Sequence, residues 1–557
     1  MAISVDKFNK RLEALRSERS SFIHLYRELS DYHLSYRGRF LTSDRNKGFK
    51  RNTKQYNNTS RLSSRSLSSG MMSGITSPAR PWFRLGTADV GLKEHAPVKE
   101  WLHKVQTIMY RVYAQSNTYN SLHTLYGELG VFGTSVMGVF DDFENVLRCQ
   151  PYTVGSYMLG MDGKNHVDTM YREYEISVGQ CVKQFGLENC SNTVQQQWKR
   201  GATEAWVPIV HVIEPNDDRD MVSPFAKDKP TRSVYYEKGK DTRNNNKYLR
   251  ESGFDDFPVL APRWDVTGED VYGVDCPGMT TLGDTKALQL GERYKFQAID
   301  LMVKPPLQGP ADMQNKVGKS LRNGEIAWRT STSGDGLKSI YDFRPDLNAL
   351  MTINDQTEER IRRGFYEDLF LMLANDDRRQ PVTAREIAEK HEEKLLMLGP
   401  MLERTHTELL DPFIDLTFNK LQRAGVLPPA PDEIQGQDLN VEYVSVLAQA
   451  QRLVSIGSLD RLGNYVGQLS QVWPEARHKF NAKQAVDEYA DALGTTPSVV
   501  RSDDEVEALE KIEAESRAQE EAMLQGQQLA ETAKTASQAD LSGENALSTT
   551  MRNAGLA

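Results

Sequence analysis

Several short patterns in this 557-residue chain bring chemistry-bearing residues close to the spacings that catalysis needs, and each is incomplete. Val317-Gly318-Lys319-Ser320 ends like a phosphate-binding loop, in which backbone N–H groups cradle phosphates and the lysine reaches them. The glycine required five residues before Gly318 is Met313, and the segment follows no buried strand. His391-Glu392 begins a helical zinc-protease signature, but the second histidine should stand at position 395, which is Leu395. Gly133-x-Ser135 lacks the closing glycine of a nucleophile elbow, because position 137 is Met137. The pairs Asp141-Asp142 and Asp217-Asp218 read as turn residues, where aspartate is favoured for bonding its own backbone. Cys149, Cys181, Cys190 and Cys276 include no Cys-x-x-Cys pair and read as reduced core residues. No cofactor, no metal and no enzymatic activity are expected.

Composition narrows the class further. The chain is 39% hydrophobic and long enough for three or four folding units. Its first ten residues carry no signal-like apolar run, and no window reaches the roughly 18 apolar residues of a membrane span, so neither secretion by that route nor a membrane is expected. A reducing cytoplasm fits the cysteine usage. Charge is uneven: 15 Lys/Arg face 6 Asp/Glu through Arg65, whereas 5 face 12 from Arg501 onward. The total of −9 argues against a protein that coats nucleic acid over its whole surface. Any DNA contact should be local.

The elements that would position functional residues are legible from periodicity. Val5, Phe8, Leu12, Leu15, Phe22, Tyr26 and Leu29 recur at helical spacing. Residues 57–77 mix Ser and Gly with Leu62, Leu67, Met71, Met72 and Ile75, a composition for a closely packed helix that Pro78 and Pro81 stop. A further helical stripe runs from Val98 to Val112. Between Ser135 and about Val266 the period falls towards two, which predicts an antiparallel sheet region with a hairpin at Asp162-Gly163 and short helices ended by Gly186 and Gly201. Three long helices are then expected, over Asp284–Val303, Leu347–Leu373 and Thr383–Arg423. The third opens on the capping box Thr383-x-x-Glu386 and should bend at Gly399-Pro400 and Asp411-Pro412. The fold class is α+β, mainly helical.

An ordered series of motifs carries a resemblance. Gly70-Met71-Met72-Ser73-Gly74, Ser77-Pro78, Pro81-Trp82-Phe83, Val98…Trp101-Leu102, Ser116-Asn117-x-Tyr119 and Phe132-Gly133-Thr134 come first. Pro262-Arg263-Trp264, Gly268-Glu269-Asp270-Val271-Tyr272-Gly273, Gly283-Asp284-Thr285-Lys286 and Lys304-Pro305-Pro306 follow. Together they closely resemble the head-to-tail connector, or portal, family of short-tailed bacteriophages. The chain departs from the family pattern at Val274-Asp275-Cys276 and at Ser63, Ser64 and Ser66, which stand where alanines are typical. Nothing after about Leu427 carries the likeness.

The resemblance implies a dodecameric ring at one capsid vertex, around a channel for double-stranded DNA. It implies a wing over residues 1–281, stem helices at 282–304 and 347–373, and a clip at 305–346. A channel loop at 374–382, a bent wing helix at 383–424 and a crown at 425–514 follow, with an acidic, partly disordered tail at 515–557. Asn375, Asp376, Asp377, Arg378, Arg379 and Gln380 would form the DNA-channel loop, and Lys316, Lys319, Arg322 and Arg329 would lie in the clip. Implied partners are the terminase large subunit, tail adaptor proteins, and the major capsid and scaffold proteins, with assembly in the host cytoplasm. A mostly negative channel wall would let DNA slide. The competing reading is a helical scaffold or tail-adaptor virion protein that forms no channel, supported by the acidic, Ala/Gln-rich tail from Asp503. A nucleotide-driven motor would require Gly318-Lys319-Ser320 to bind nucleotide.

Overall fold

The computed structural model describes residues 5–35, 55–87, 95–239, 248–305, 307–310, 326–329, 338–339, 346–374, 398–434 and 439–444, with shorter stretches between 462 and 523. The chain divides into two units, Met1–Leu462 and Gly463–Ala557. In the second, residues 463–470 and 509–516 are helical.

The first unit opens with α1 (Val5–His33). Helices α2 (Thr59–Ile75), α3 (Ala96–Gln115) and α4 (Thr118–Phe132) follow, with β1 (Phe83–Thr87) after α2. The period-two region supplies β2 (Val136–Asp142), β3 (Val146–Tyr152), β4 (Tyr157–Met161), β5 (Val167–Ser177), β6 (Trp206–Pro215), β7 (Thr231–Glu237), β8 (Arg250–Phe254) and β9 (Val259–Leu260). Two short helices, α5 (Val178–Phe185) and α6 (Asn192–Lys199), stand between β5 and β6. Ser177 and Gln180 make a reciprocal capping box at the start of α5, and Gly186 and Gly201 follow the two helices with φ of 83° and 76°.

Strands β4 to β8 form one antiparallel sheet in sequence order, and β3-β2-β9 form a second. One face of the five-stranded sheet is covered by α1, whose Phe8, Leu12 and Leu15 meet Met158, Tyr171, Val210, Val212, Val234 and Tyr236. The smaller sheet lies over the other face, where Phe140 and Phe254 pack at 5.9 Å. Its own far side turns Met137, Val139, Leu147 and Cys149 into the largest core, built with α2, α3 and α4. The Asp162-Gly163 hairpin forms between β4 and β5, and its left-handed residue is Asn165, at φ 64°, rather than the glycine.

Beyond the sheets come α7 (Pro277–Val303), the short strands β10 (Leu307–Pro310), β11 (Ile326–Arg329) and β12 (Lys338–Ser339), then α8 (Leu347–Gly364) and α9 (Glu367–Ala374). The first of the three expected long helices therefore starts seven residues earlier than Asp284, at Pro277, whose fixed φ suits a first turn. The second is interrupted: Phe365 and Tyr366 break it, with Tyr366 at φ 52°. Periodicity could not show this break, because tertiary contacts make it. Phe365 is fully buried, its ring edge-on to His33 at 5.5 Å, and a Cβ at Gly364 would stand 2.3 Å from Thr281 Cγ2.

In the third expected helix, residues 398–405 are helical, a π-turn occupies His406–Leu410, and α10 covers Asp411–Arg423. The irregularity falls just before Asp411-Pro412, where proline removes a backbone donor. The capping box at Thr383 lies outside the described residues. Strand β13 (Leu439–Tyr443) returns to pair antiparallel with β1.

Candidate functional site

Two arrangements stand out: a joint that ties the sheets to the helices, and a pair of long helices whose outer surface is apolar.

The joint is built around Gly133, which caps α4 in the left-handed conformation at φ 72°. Its carbonyl accepts from Trp264 N at 2.8 Å, and the Thr134 hydroxyl accepts from Gly273 N at 2.7 Å. A Cβ at Gly273 would lie 2.1 Å from the Gly133 carbonyl oxygen, so only glycine permits this approach. Arg263, 4% exposed, fills the centre. Its guanidinium donates to Glu408 Oε1 at 2.6 Å and to the carbonyls of Asp270 at 2.8 Å and Asn165 at 3.0 Å, while its backbone N–H donates to Glu408 Oε2 at 2.8 Å. Glu408 stands on the π-turn. One buried ion pair thus fixes the irregular helical turn against the sheet connections. Nearby, Lys420 meets Asp141 at 2.5 Å and Arg423 reaches Asp256 at 2.7 Å.

Other motif residues are likewise fasteners. Tyr110 OH accepts from the backbone of Trp82 and Phe83 and donates to Phe83 O. Trp101 Nε1 donates to Pro428 O at 3.1 Å, and Asn117 makes a two-way bond with the backbone of Cys149. Ser63, where an alanine is typical, donates to Glu367 Oε2 at 2.7 Å and links α2 to α9.

Helices α7 and α8 pack through a polar seam. Thr285, Gln289, Glu292, Asn354 and Thr357 are all buried. Asn354 donates to Glu292 Oε1 at 2.8 Å, and Lys295 pairs with the same carboxylate at 2.6 Å. Gln289 accepts from the backbone N–H groups of Tyr56 and Asn57 and donates to Asn57 O. Many large apolar residues face outwards instead: Tyr294, Phe296, Ile299, Met302 and Val303 on α7, and Met351 and Ile353 on α8, are all at least 39% exposed. At 3.6 residues per turn, the five on α7 spread over roughly 200° of its circumference. A helix that is apolar on several sides is normally buried.

Burial holds His33, Cys149 and Cys276 neutral. Burial depresses His33 to about 4, with a backbone hydrogen bond at Gly278 opposing it. Burial likewise pushes the thiols of Cys149 and Cys276 up to about 11 and about 12. All four cysteines are free and buried, as their reading as core residues requires. Among the described residues, no group of three or more His, Cys, Asp or Glu could hold a metal ion, and no helix is long and apolar enough to cross a membrane.

Of the residues singled out for the channel and clip, Lys316, Lys319, Arg322 and the whole of Asn375, Asp376, Asp377, Arg378, Arg379 and Gln380 lie outside the described residues. Arg329 ends β11, which pairs in parallel with β10. The Arg263–Glu408 pair was missed in the sequence because its members are 145 residues apart. The apolar surface of α7 did carry a signal, a run of large apolar residues without a single-sided stripe.

The family described as "Bacteriophage head to tail connecting protein" matches residues 5–500. The chain belongs to that family. It is 43% identical over 552 residues to the portal protein of Salmonella phage epsilon15, covering 99% of this chain and 98% of that one. It is 44% identical over 540 residues to the probable portal protein of Bordetella phage BPP-1, covering 97% and 96% respectively. A chain from the virion of a native gene transfer agent particle aligns at a TM-score of 0.34 and 11% identity, over 84% of this chain and 94% of that one.

Proposed function

We propose that this chain is the portal subunit of a bacteriophage and that its copies close into a ring, which is the functional unit.

 The ring has twelve members and stands at one capsid vertex, where double-stranded DNA passes through its centre. The observation that carries this reading is the inverted patterning of α7 and α8, polar where the two helices meet and apolar where they face out. Such surfaces are stable only when covered, and in a closed ring every subunit has a neighbour on each side. The names of the two phage relatives point the same way.

In this reading α7 and α8 are the stem, residues 305–346 the clip and residues 374–382 the channel loop. The sheets with their flanking helices form the wing, 425–514 the crown and 515–557 a tail. The clip, with Lys316, Lys319, Arg322 and Arg329, docks the terminase large subunit during packaging and tail adaptor proteins afterwards, while the wing meets the major capsid and scaffold proteins. Assembly takes place in the host cytoplasm and the product is a virion component. The role is mechanical and the chain performs no catalysis.

Mass measurement in solution combined with electron micrographs tests the assembly. Closed rings of about a dozen copies without ATP turnover are expected from the isolated protein, and a monomer that hydrolyses ATP would sink the reading. Arg378→Ala with Arg379→Ala should leave rings intact while particles retain less DNA, because each exposed arginine-phosphate contact adds only about 1 kcal/mol but is repeated around the duplex. Unchanged genome retention would make 374–382 only a turn.

A further inference from the structure

The face of the five-stranded sheet turned away from α1 carries a row of residues that the portal role does not use. Tyr157 on β4, Arg172 on β5, His211 on β6, Tyr235 on β7 and Arg250 on β8 stand directly opposite one another across all five strands. Arg148 on β3 pairs with Phe140 on β2, whose ring packs on Phe254 of β8, so it joins the same face from the overlying sheet. The Arg172 guanidinium is held between two rings, 4.4 Å from the centroid of Tyr152 and 4.6 Å from that of Tyr174. Its Nε is buried and has no hydrogen-bond partner among the described residues. His211 stacks on Tyr235 at 3.8 Å, 8° from parallel, and meets the Ser233 hydroxyl at 3.0 Å.

Charge is segregated across this sheet. On the α1 side, Glu173 pairs with Arg16 at 2.5 Å and with Lys238 at 2.8 Å, and Glu214 lies 3.8 Å from Arg232. Alternation along β5 sends Glu173 and Glu175 to that side and Arg172 to the other. Among the described residues none of Arg148, Arg172 and Arg250 has an ion-pair partner. Burial holds His211 in its neutral form, and Arg172 and Arg250 add to that effect. Burial raises the Tyr235 phenol, and Arg250, Arg172 and Arg148 all oppose the rise, with no carboxylate acting beside them. Three guanidinium groups therefore share one surface without a counter-charge among the described residues. Arg148 and Arg250 are exposed.

We propose that Arg148, Arg172 and Arg250 form a second nucleic-acid contact, outside any channel, which binds the phosphodiester backbone of duplex DNA. Spacing favours a polyanion over a single small anion. At about 4.8 Å between strands, Arg172 and Arg250 are separated by roughly 14 Å. A DNA duplex presents one negative charge per ~1.7 Å of its axis, so several phosphates can meet the row at once. Charge complementarity of this kind reads no base sequence. The contact is local on a chain whose net charge is −9, which keeps other surfaces from competing for the same strand.

The test uses the full-length protein and covalently closed circular duplex DNA, which has no end to thread through a ring. The wild type should bind it with an affinity that falls steeply with salt. Arg148→Ala with Arg250→Ala removes two exposed side chains. It should weaken binding about tenfold and lower the log–log salt slope by about two, while circular dichroism and assembly mass stay unchanged. Arg148→Lys with Arg250→Lys should retain most of the affinity. No binding by the wild type, or equal binding by the alanine variant, overturns the proposal. So does a variant that loses binding of poly-glutamate but not of the closed circle, because the patch would then serve an acidic protein segment.

Discussion

Arg263 reaches Glu408, Asp270 and Asn165 from one buried position, and its charge is matched by a carboxylate on a turn that is not regular α-helix. Removing one partner of such a pair leaves the other charged and desolvated, which costs far more than the pair contributes in net stability. Glu408→Ala should therefore lower stability by about 3 kcal/mol, read as a drop in the midpoint of chemical unfolding. Replacing both residues, as Arg263→Met with Glu408→Leu, should cost less than the sum of the two single changes. Additive losses would show that the two side chains act separately. The partners lie on segments 145 residues apart, so no local spacing marks them. Arg263 was visible in the sequence only as the middle of Pro262-Arg263-Trp264.

At the scale of elements, close approach decides which helices meet. A Cβ at Gly70 of α2 would stand 2.2 Å from Phe370 Cβ on α9, nearer than any real contact, so α2 and α9 pack backbone against side chain. Gly70→Ala should force them apart and cost about 2 kcal/mol, seen as a lower Tm. Ser69→Ala, on the exposed side of the same helix, should leave Tm almost unchanged. Equal effects would mean that the helices adjust without strain. The Ser/Gly composition of residues 57–77 announced this close packing, and the stripes in α1 and α3 announced their buried faces, because those signals are local and periodic. The break at Phe365–Tyr366 was not legible. Leu347–Leu373 reads as one helix, and the break falls where Phe365 is buried against His33, Gly364 leaves no room for a Cβ beside Thr281 and Tyr366 is left-handed. The two-layer arrangement of β3-β2-β9 over β4–β8 was hidden for the same reason: alternation shows that strands have two faces and not which sheet covers them.

For the whole molecule, the surface of α7 separates assembly from folding. Its seam with α8 is bonded within one chain: Asn354 donates to Glu292, and Asn57 links Gln289 of α7 to Glu358 of α8. Tyr294 and Ile299, 53% and 39% exposed, take no part in that seam. Covering one large apolar side chain adds about 1.5–3 kcal/mol to an interface. Leaving an unpaired carboxylate in the same contact costs several kcal/mol instead. A ring repeats each contact at every joint, so a change too small to unfold one subunit is multiplied around the closure. Tyr294→Glu with Ile299→Glu should therefore yield a protein with unchanged helix content that sediments as single chains or short arcs at concentrations where the wild type forms rings. Lys104→Glu, on the exposed side of α3, should leave rings intact. Rings of wild-type mass from the double variant would place the subunit contact elsewhere and leave the apolar surface of α7 to a different partner.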